Sequence, residues 1–508
     1  MGEERSAAFV DRAITDSVTL PWLMITVLVV GAGPTGLTLA CDLARRGLSV
    51  RIIDRASRFP DSSRGKGLQP RSIEVFDDLG VAEQILQAGT QNVVFRHYER
   101  DRVLRDVALY GHLKPAPDVP YLGTLLIPQW AIERVLRARL AEFGVRVELG
   151  SELTEFSQDD TAVSATIVSD RGTERVEVDY LVGCDGGKSG IRKSLGVRFE
   201  GDTNATQVML CGDVEVDGLS ADAWHQWLGD GHIVLICPLP GTKAWQFQAS
   251  PVDDSPPSLE TFQRIVDERT GLPIRLSNPT WLSIYRINIR VADRLRVGRV
   301  FLAGDSAHVH PIAGGLGMNT GIQDAYNLGW KLASASDSLL DTYQEERLPI
   351  AEWTLRTSSR SSAAVLAGSR ERSAGVDAGM TDDVRQLGLH YRWSSLSRDL
   401  VDRADRLQAG DRAPDARLTT PDGGQVRLFD VFRGPGFTLL GFGAGCAEAL
   451  ARLTDRIHTH LVTQDADAFQ TYGIDTDTLV LVRPDGYVAL TADGDDSDAV
   501  LAYIKAIM

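Results

Sequence analysis

Gly31-x-Gly33-x-x-Gly36, with Asp54 eighteen residues after the last glycine, is a spacing through which a backbone can hold a dinucleotide. Gly31 permits a tight turn, Gly33 lets the main chain approach a pyrophosphate, and Gly36 lets a helix pack closely on a strand. The helix opening there, with Pro34 and Thr35 in its first turn, points its positive dipole end at the phosphates. Asp54, next to Arg55, offers a carboxylate to the ribose hydroxyls. The elements that must position these groups surround them. Val27–Val30 reads as a buried parallel strand, Leu37–Arg46 carries apolar residues at helical spacing, Gly47 ends that helix, and Ser49–Asp54 is the next strand. Such a unit binds a dinucleotide without distinguishing NAD from FAD.

Two distant segments have the same strand-into-glycine form and belong to the same domain. Tyr180–Gly183 runs into Cys184-Asp185-Gly186-Gly187, and Val300–Ala303 runs into Gly304-Asp305. Between them, residues 205–295 alternate apolar and polar, as in an antiparallel sheet with one covered face, so a second domain is inserted into the first. After about residue 400 the composition shifts. A turn-rich stretch leads to a strand at Phe437–Phe442, a helix at Cys446–His458 and a hairpin turning at Pro484-Asp485-Gly486. Ala364–Asp382 lacks a period and reads as a loop or frayed helix. No repeat of 20–50 residues is present.

A chain of 508 residues implies two or three domains. Its net charge of −16 opposes both nucleic acid and anionic lipid as partners. The five cysteines are scattered without a CxxC, which gives neither a disulfide framework nor a metal site and suits a reducing cytoplasm. No apolar run reaches membrane-spanning length. Residues 1–23 are rich in charge, lack core-forming periodicity, and read as a flexible extension.

In its motifs the chain resembles the flavoprotein aromatic hydroxylases, which are FAD-dependent monooxygenases. Arg299–Asp305, followed by Ser306–Pro311 and Gly314–Asn319, is similar to the family's second FAD fingerprint. The likeness implies that Asp305 holds the ribityl chain, with Gly304 and Pro311 beside the cofactor. The backbone at Gly317, Met318 and Asn319 would support the flavin's pyrimidine end. Cys184-Asp185-Gly186-x-x-Ser189-x-x-Arg192 resembles the family's Asp-Gly motif, associated with FAD and the nicotinamide partner. Ser62–Glu74 resembles the segment next to adenosine and flavin, which assigns Arg64 and Arg71 to the cofactor, and Gln129 stands where the family places an FAD contact. The chain departs from the usual pattern at Ser306, where alanine is common, and at Ile312 and Leu316, where proline and glutamine are common.

The resemblance covers residues 24–400 and is nearest the bacterial phenol and aromatic-polyketide hydroxylases. It implies an α/β FAD-binding Rossmann-like domain (24–200 and 296–400) with an inserted antiparallel-sheet substrate domain (201–295), as in glutathione reductase and p-hydroxybenzoate hydroxylase. Residues 401–508 become a thioredoxin-like α/β domain, redox-silent because Cys446 is its only thiol. FAD would be held non-covalently and reduced by NADPH or NADH as a transient co-substrate. Oxygen from O2 would pass through a flavin C4a-hydroperoxide to a small phenolic or polyketide-type substrate, in secondary metabolism, in a monomer or homodimer. Baeyer–Villiger oxygenation or epoxidation is the alternative, and a reductase that inserts no oxygen is the second. The flavin performs the chemistry, so no catalytic side chain or metal is required. His308 and His310 read as packing residues, and Cys211 and Cys237 as apolar fillers. Trp224, Trp227, Trp245, Phe247 and Tyr285 are candidates to wall a pocket for a flat substrate, although strand aromatics most often fill cores.

Overall fold

The computed structural model describes residues 26–63, 65–114, 116–229, 232–311, 314–371, 375–402, 406–419, 424–463 and 465–507, without the side chains of 203–207, 286–287 and 369–371. The 1–23 extension, Arg64 and Ile312 lie outside the described residues.

A six-stranded sheet forms the base, in the order Arg296–Val297, Val300–Leu302, Tyr180–Gly183, Thr26–Val30, Ser49–Asp54, Glu148–Leu149. All pairs are parallel except the first. Val27, Leu28 and Val29 are fully buried, as expected of a central parallel strand covered on both faces. This sheet brings together the three strands whose C-terminal ends lead into Gly31, Cys184 and Gly304. Helices Pro34–Arg45 and Gly317–Ser334 then pack against each other. Their approach is close because Gly321 faces Thr35: a Cβ there would lie 2.4 Å from the Thr35 hydroxyl oxygen.

The second sheet has eight strands, and it is wider than the 201–295 stretch read from the sequence. From one edge the order is His308–Val309, Arg275–Ala292, Phe199–Asp217, Ala244–Ala249, His232–Pro238, Ala223–Gly229, Val94–Glu99, Arg102–Ala108. The hairpin at 94–108 comes from the earlier part of the chain and joins through a parallel pair with Ala223–Gly229. Its arginines and aspartates obscure the strand alternation. The outer face is sealed by helix Leu259–Arg269, whose Phe262, Ile265 and Val266 meet Leu210, Val214, Val234 and Ile236. The inner face looks toward the nucleotide-type loops. Helix Asp337–Glu371 extends into the 364–382 stretch read as a loop or frayed helix, where Val365 packs on Ile233 and Leu235 of that inner face.

The C-terminal domain carries a five-stranded mixed sheet in the order Arg398–Asp399, Val488–Asp493, Thr478–Val482, Thr438–Phe442, His458–Val462, with four α-helices among the described residues. The strand order and directions are those of a thioredoxin-like fold. Cys446 is buried and its thiol donates to the Phe442 carbonyl at 3.2 Å. The helix there ends at Leu453, and His458 begins a strand. No helix among the described residues is long and apolar enough to cross a membrane.

A buried ionic knot fastens this domain to the rest. Arg483 reaches both oxygens of Glu346 at 2.6 and 2.9 Å, and Glu346 also takes Lys331 at 2.7 Å. All three side chains are fully buried. Arg483 and Lys331 outweigh the burial penalty and hold the Glu346 carboxyl well below its ordinary value of 4.5. Its contribution is therefore complete above that ordinary value and is lost as pH falls below it. Glu346→Ala leaves Lys331 buried without a carboxylate and Arg483 with Asp485 alone, and should cost about 3–5 kcal/mol, read as a lowered thermal midpoint at neutral pH. An unchanged midpoint would show that the knot contributes nothing.

Candidate active site

The first glycine motif forms a loop whose geometry admits little but glycine at two points. Gly31 has φ +106°, and a Cβ on it would stand 2.3 Å from the Cys184 carbonyl oxygen. A Cβ on Gly36 would stand 2.0 Å from the Gly31 oxygen. Gly33 differs: a Cβ there meets no heavy atom within 4 Å, so the loop is open on that side. Helix Pro34–Arg45 starts at this opening with no side-chain cap. Its first backbone N–H groups and dipole suit a pyrophosphate. Asp54 ends the neighbouring strand with both oxygens engaged by backbone, accepting from Ala32 N and Ala56 N at 2.8 Å each. A carboxylate has further lone pairs for hydroxyl donors, and Asp54 is only part-buried. Arg55 is exposed beside it.

The second and third segments interlock with the first. Asp185 accepts from Gly190 N at 2.8 Å through one oxygen, and its other oxygen is buried without a hydrogen-bond partner among the described residues. Ser189 caps the short helix Gly190–Ser194. Arg192 then donates to the Ser306 carbonyl at 2.7 Å and the Gly187 carbonyl at 2.9 Å. Ser306 accounts for its own departure from the alanine pattern. Its buried hydroxyl donates to the Gly183 carbonyl at 2.6 Å and so stitches two strand ends together. Gly304 sits at φ +64° over Thr35, and Asp305 projects to the surface at the start of the loop.

Asp324 anchors that loop from below. It accepts from Arg347 Nε at 2.7 Å, from His308 Nε2 at 2.7 Å and from Gly304 N at 3.1 Å. His308 is therefore a packing and hydrogen-bonding residue. Burial pushes the His310 ring down to about 3, with His308 opposing its charge as well, so it is neutral and packs against Gly317. Pro311 is buried next to it. Helix Gly317–Ser334 begins without a side-chain cap, leaving its N-terminus for an acceptor. Met318 lies beside Gly65. Asn319 spends its side chain on structure, accepting from Gln69 N at 2.8 Å and donating to Gly67 O at 3.0 Å and Gly315 O at 2.7 Å. Gln129 braces the other side of the same loop through Gly65 N at 3.2 Å and Glu133 at 2.8 Å. Arg71 does not join this group. It is buried against Glu74 and donates to the Asp485 carbonyl at 2.8 Å, so it serves the interface with the C-terminal domain.

Sheet register decides the pocket walls. On the inner face Asp213 pairs with Gln246, which pairs with Cys237, and in the next row Cys211, Gln248, Leu235, Gln226 and His97 stand side by side. Trp227, Trp245 and Phe247 have the opposite parity. They fall in the core under helix Leu259–Arg269, with Phe247 stacked on Phe262 at 4.5 Å and Trp227 on Tyr98 at 4.5 Å. These three are core residues and not pocket walls. Tyr285 and Trp224 do lie on the inner side: Tyr285 donates to the His310 carbonyl at 3.2 Å, and the Trp224 indole N–H is buried without a partner among the described residues. Sequence reading missed the polar residues Asp213, Gln246 and Gln248. The signal was present in the alternation Trp245-Gln246-Phe247-Gln248, which puts amides on one face and aromatics on the other.

The open side of Gly33, two uncapped helix N-termini aimed at one crevice and an unpartnered buried Asp185 oxygen fit a dinucleotide whose far end reaches the sheet's inner face. Among the described residues no cluster suits a metal ion. The FAD binding domain family matches residues 24–358, and the aromatic-ring hydroxylase C-terminal family matches residues 407–507. A flavin-dependent monooxygenase of Mycobacteroides abscessus is 42% identical over 95% of this chain and 100% of its own. A 6-methylpretetramide 4-monooxygenase of Streptomyces rimosus is 34% identical over 95% of this chain and 93% of its own. Among solved structures, an aklavinone-11 hydroxylase in complex with FAD and aklavinone superposes with a TM-score of 0.80 at 27% identity, covering 95% of this chain and 98% of that one. The chain belongs to the flavoprotein aromatic-ring hydroxylases and is an FAD-dependent monooxygenase.

Proposed function

We propose that this enzyme hydroxylates a phenolic or polyketide-type aromatic compound in secondary metabolism, consuming NAD(P)H and O2. The observation that carries this reading is the inner sheet face. Met209, Leu235 and Trp224 make it apolar, Asp213, Gln246 and Gln248 make it polar, and it adjoins both the loop at 62–69 and the loop at 308–319. A flat substrate with a polar edge suits such a surface. The likeness to the 6-methylpretetramide 4-monooxygenase supports the same substrate class.

Gly31, Gly33, Pro34, Thr35 and Gly36 would hold the pyrophosphate, Asp54 with Arg55 the adenosine ribose, and Asp185, Gly304 and Asp305 the ribityl side. Gln129, Pro311 and the backbone at Gly317–Asn319 would flank the ring. FAD, once bound and reduced, supplies the oxygen-transfer chemistry with O2. The chain's part is to orient the substrate, keep water away and place N–H groups where negative charge develops. The only strand–glycine–helix nucleotide unit among the described residues is committed to FAD, so NAD(P)H binds transiently in the crevice.

Asp54→Ala removes both the ribose acceptor and the Ala32 contact. It should weaken FAD retention by about 1.5–3 kcal/mol, roughly 10- to 100-fold, in titrations of the apoprotein; undiminished affinity would remove Asp54 from the site. In turnover, the aromatic substrate should accelerate anaerobic flavin reduction, and isotopically labelled O2 should place one label in a ring hydroxyl with matching NAD(P)H consumption. An inserted ester oxygen would indicate Baeyer–Villiger chemistry, and label only in peroxide would exclude oxygen insertion.

A further inference from the structure

The inner sheet face holds two buried ionisable groups that do not pair with each other. Asp213 is 1% exposed: one oxygen accepts from Ser63 N at 2.7 Å, and the other has no hydrogen-bond partner among the described residues. Lys66 is 8% exposed and arrives from the loop beside Gln129. Its ammonium lies 4.3 Å from the centre of the Trp224 ring and donates to the Gln246 amide oxygen. Gln246 in turn donates to the Ser63 carbonyl and receives Gln248. No carboxylate among the described residues lies within ion-pair distance of Lys66. Buried charges left this way are costly unless a ligand completes them. A group that gives a proton to an acceptor and becomes an anion beside a cation would complete both.

We infer that Lys66 and Asp213 ionise and hold an acidic hydroxyl of the substrate, a phenol or enol. The hydroxyl O–H bond breaks, the proton goes to the unpartnered Asp213 oxygen, and the bonding pair stays on the substrate oxygen, which the Lys66 ammonium then neutralises. The Trp224 indole N–H is a second donor in reach of the same region, and the electron-rich ring that results is the form an electrophilic oxygen attacks. The assignment rests on the aromatic-hydroxylation reading above.

Burial pushes both groups toward their uncharged forms, as expected of charges that lack a partner. Burial raises the Asp213 carboxyl to about 6 and Asp61 adds to the rise, while Ser63 N–H, Lys66 and Gln246 oppose it. Burial also draws the Lys66 ammonium down, opposed by Cys237, Cys211 and Asp213. Asp213 is therefore a competent base above about pH 6 and loses that capacity below it.

The test uses FAD-loaded enzyme and para-nitrophenol, whose phenolate alone is yellow, in difference spectra below the phenol's own pKa. Wild type should show the phenolate band on binding. Asp213→Asn, whose amide oxygen still accepts from Ser63, should bind the phenol in its neutral form with flavin content unchanged. Lys66→Met should weaken binding by about 10- to 100-fold. With the physiological substrate, Asp213→Asn should lower kcat by about 100-fold or more and abolish the rise of rate through about pH 6, with Asp213→Glu restoring part of both. An undiminished phenolate band in Asp213→Asn, or a wild type that binds the phenol neutral or not at all, overturns the assignment. The probe is read without turnover, so that failure is distinct from a failure of hydroxylation, which is judged on product.

Discussion

Asp324 is buried in the helix that follows the second fingerprint, and three separate parts of the chain converge on its carboxylate. Arg347 comes from the long helix Asp337–Glu371, His308 from the edge of the eight-stranded sheet, and Gly304 N from the strand end. Arg347 also reaches the Tyr391 hydroxyl at 2.8 Å and the Thr320 carbonyl at 3.1 Å. These partners overcome burial and keep the Asp324 carboxyl down at about 2, so it is charged at neutral pH. A buried charge so enclosed is a directional constraint, because any rearrangement of the loop above it strands an ion. The loop that carries the second fingerprint is thereby held from within the protein.

From this anchor the two sheets acquire a fixed relation. Ser306 and Arg192 tie the strand ends at Gly183 and Gly304 into one rim, and Tyr285 and His308 tie that rim to the second sheet. Ser63, Lys66 and Gln246 close the same junction from the opposite side. The inner face is then held against the crevice on two edges, while helix Leu259–Arg269 isolates the outer face as a dry core. One sheet thus separates a stabilising side from a chemical side, and the strand period of two distributes residues between them.

Most of the nucleotide-binding half was legible in the sequence because glycine spacing and β-branched runs are local signals with one structural solution. Gly31 and Gly36 stand where close backbone contacts leave no room for a Cβ, and Asp54 ends the second strand. The aromatic candidates were not separable by residue type, since Trp227, Trp245 and Phe247 differ from Trp224 only in parity, and parity has meaning only once the covered face is known. Arg71 looked like a cofactor residue because it lies inside the motif segment. Its partner, the Asp485 carbonyl, is more than 400 residues away, and no local pattern reveals it. The hairpin at 94–108 was hidden for a related reason: its strands are half solvent-facing and charged, and only the distant pairing with Ala223–Gly229 makes them part of the sheet.

The central claim is that substrate lies on the inner sheet face, between Asp213 and the loops that cradle FAD. A crystal structure of the enzyme with FAD and a bound phenol tests it most directly. The account predicts the phenol's ring against Trp224 and Leu235, its oxygen within hydrogen-bond distance of Lys66 or Asp213, and the flavin ring between Gly65 and Gly317. A ligand seated elsewhere, with the inner face closed and Lys66 still bound only to Gln246, would contradict it.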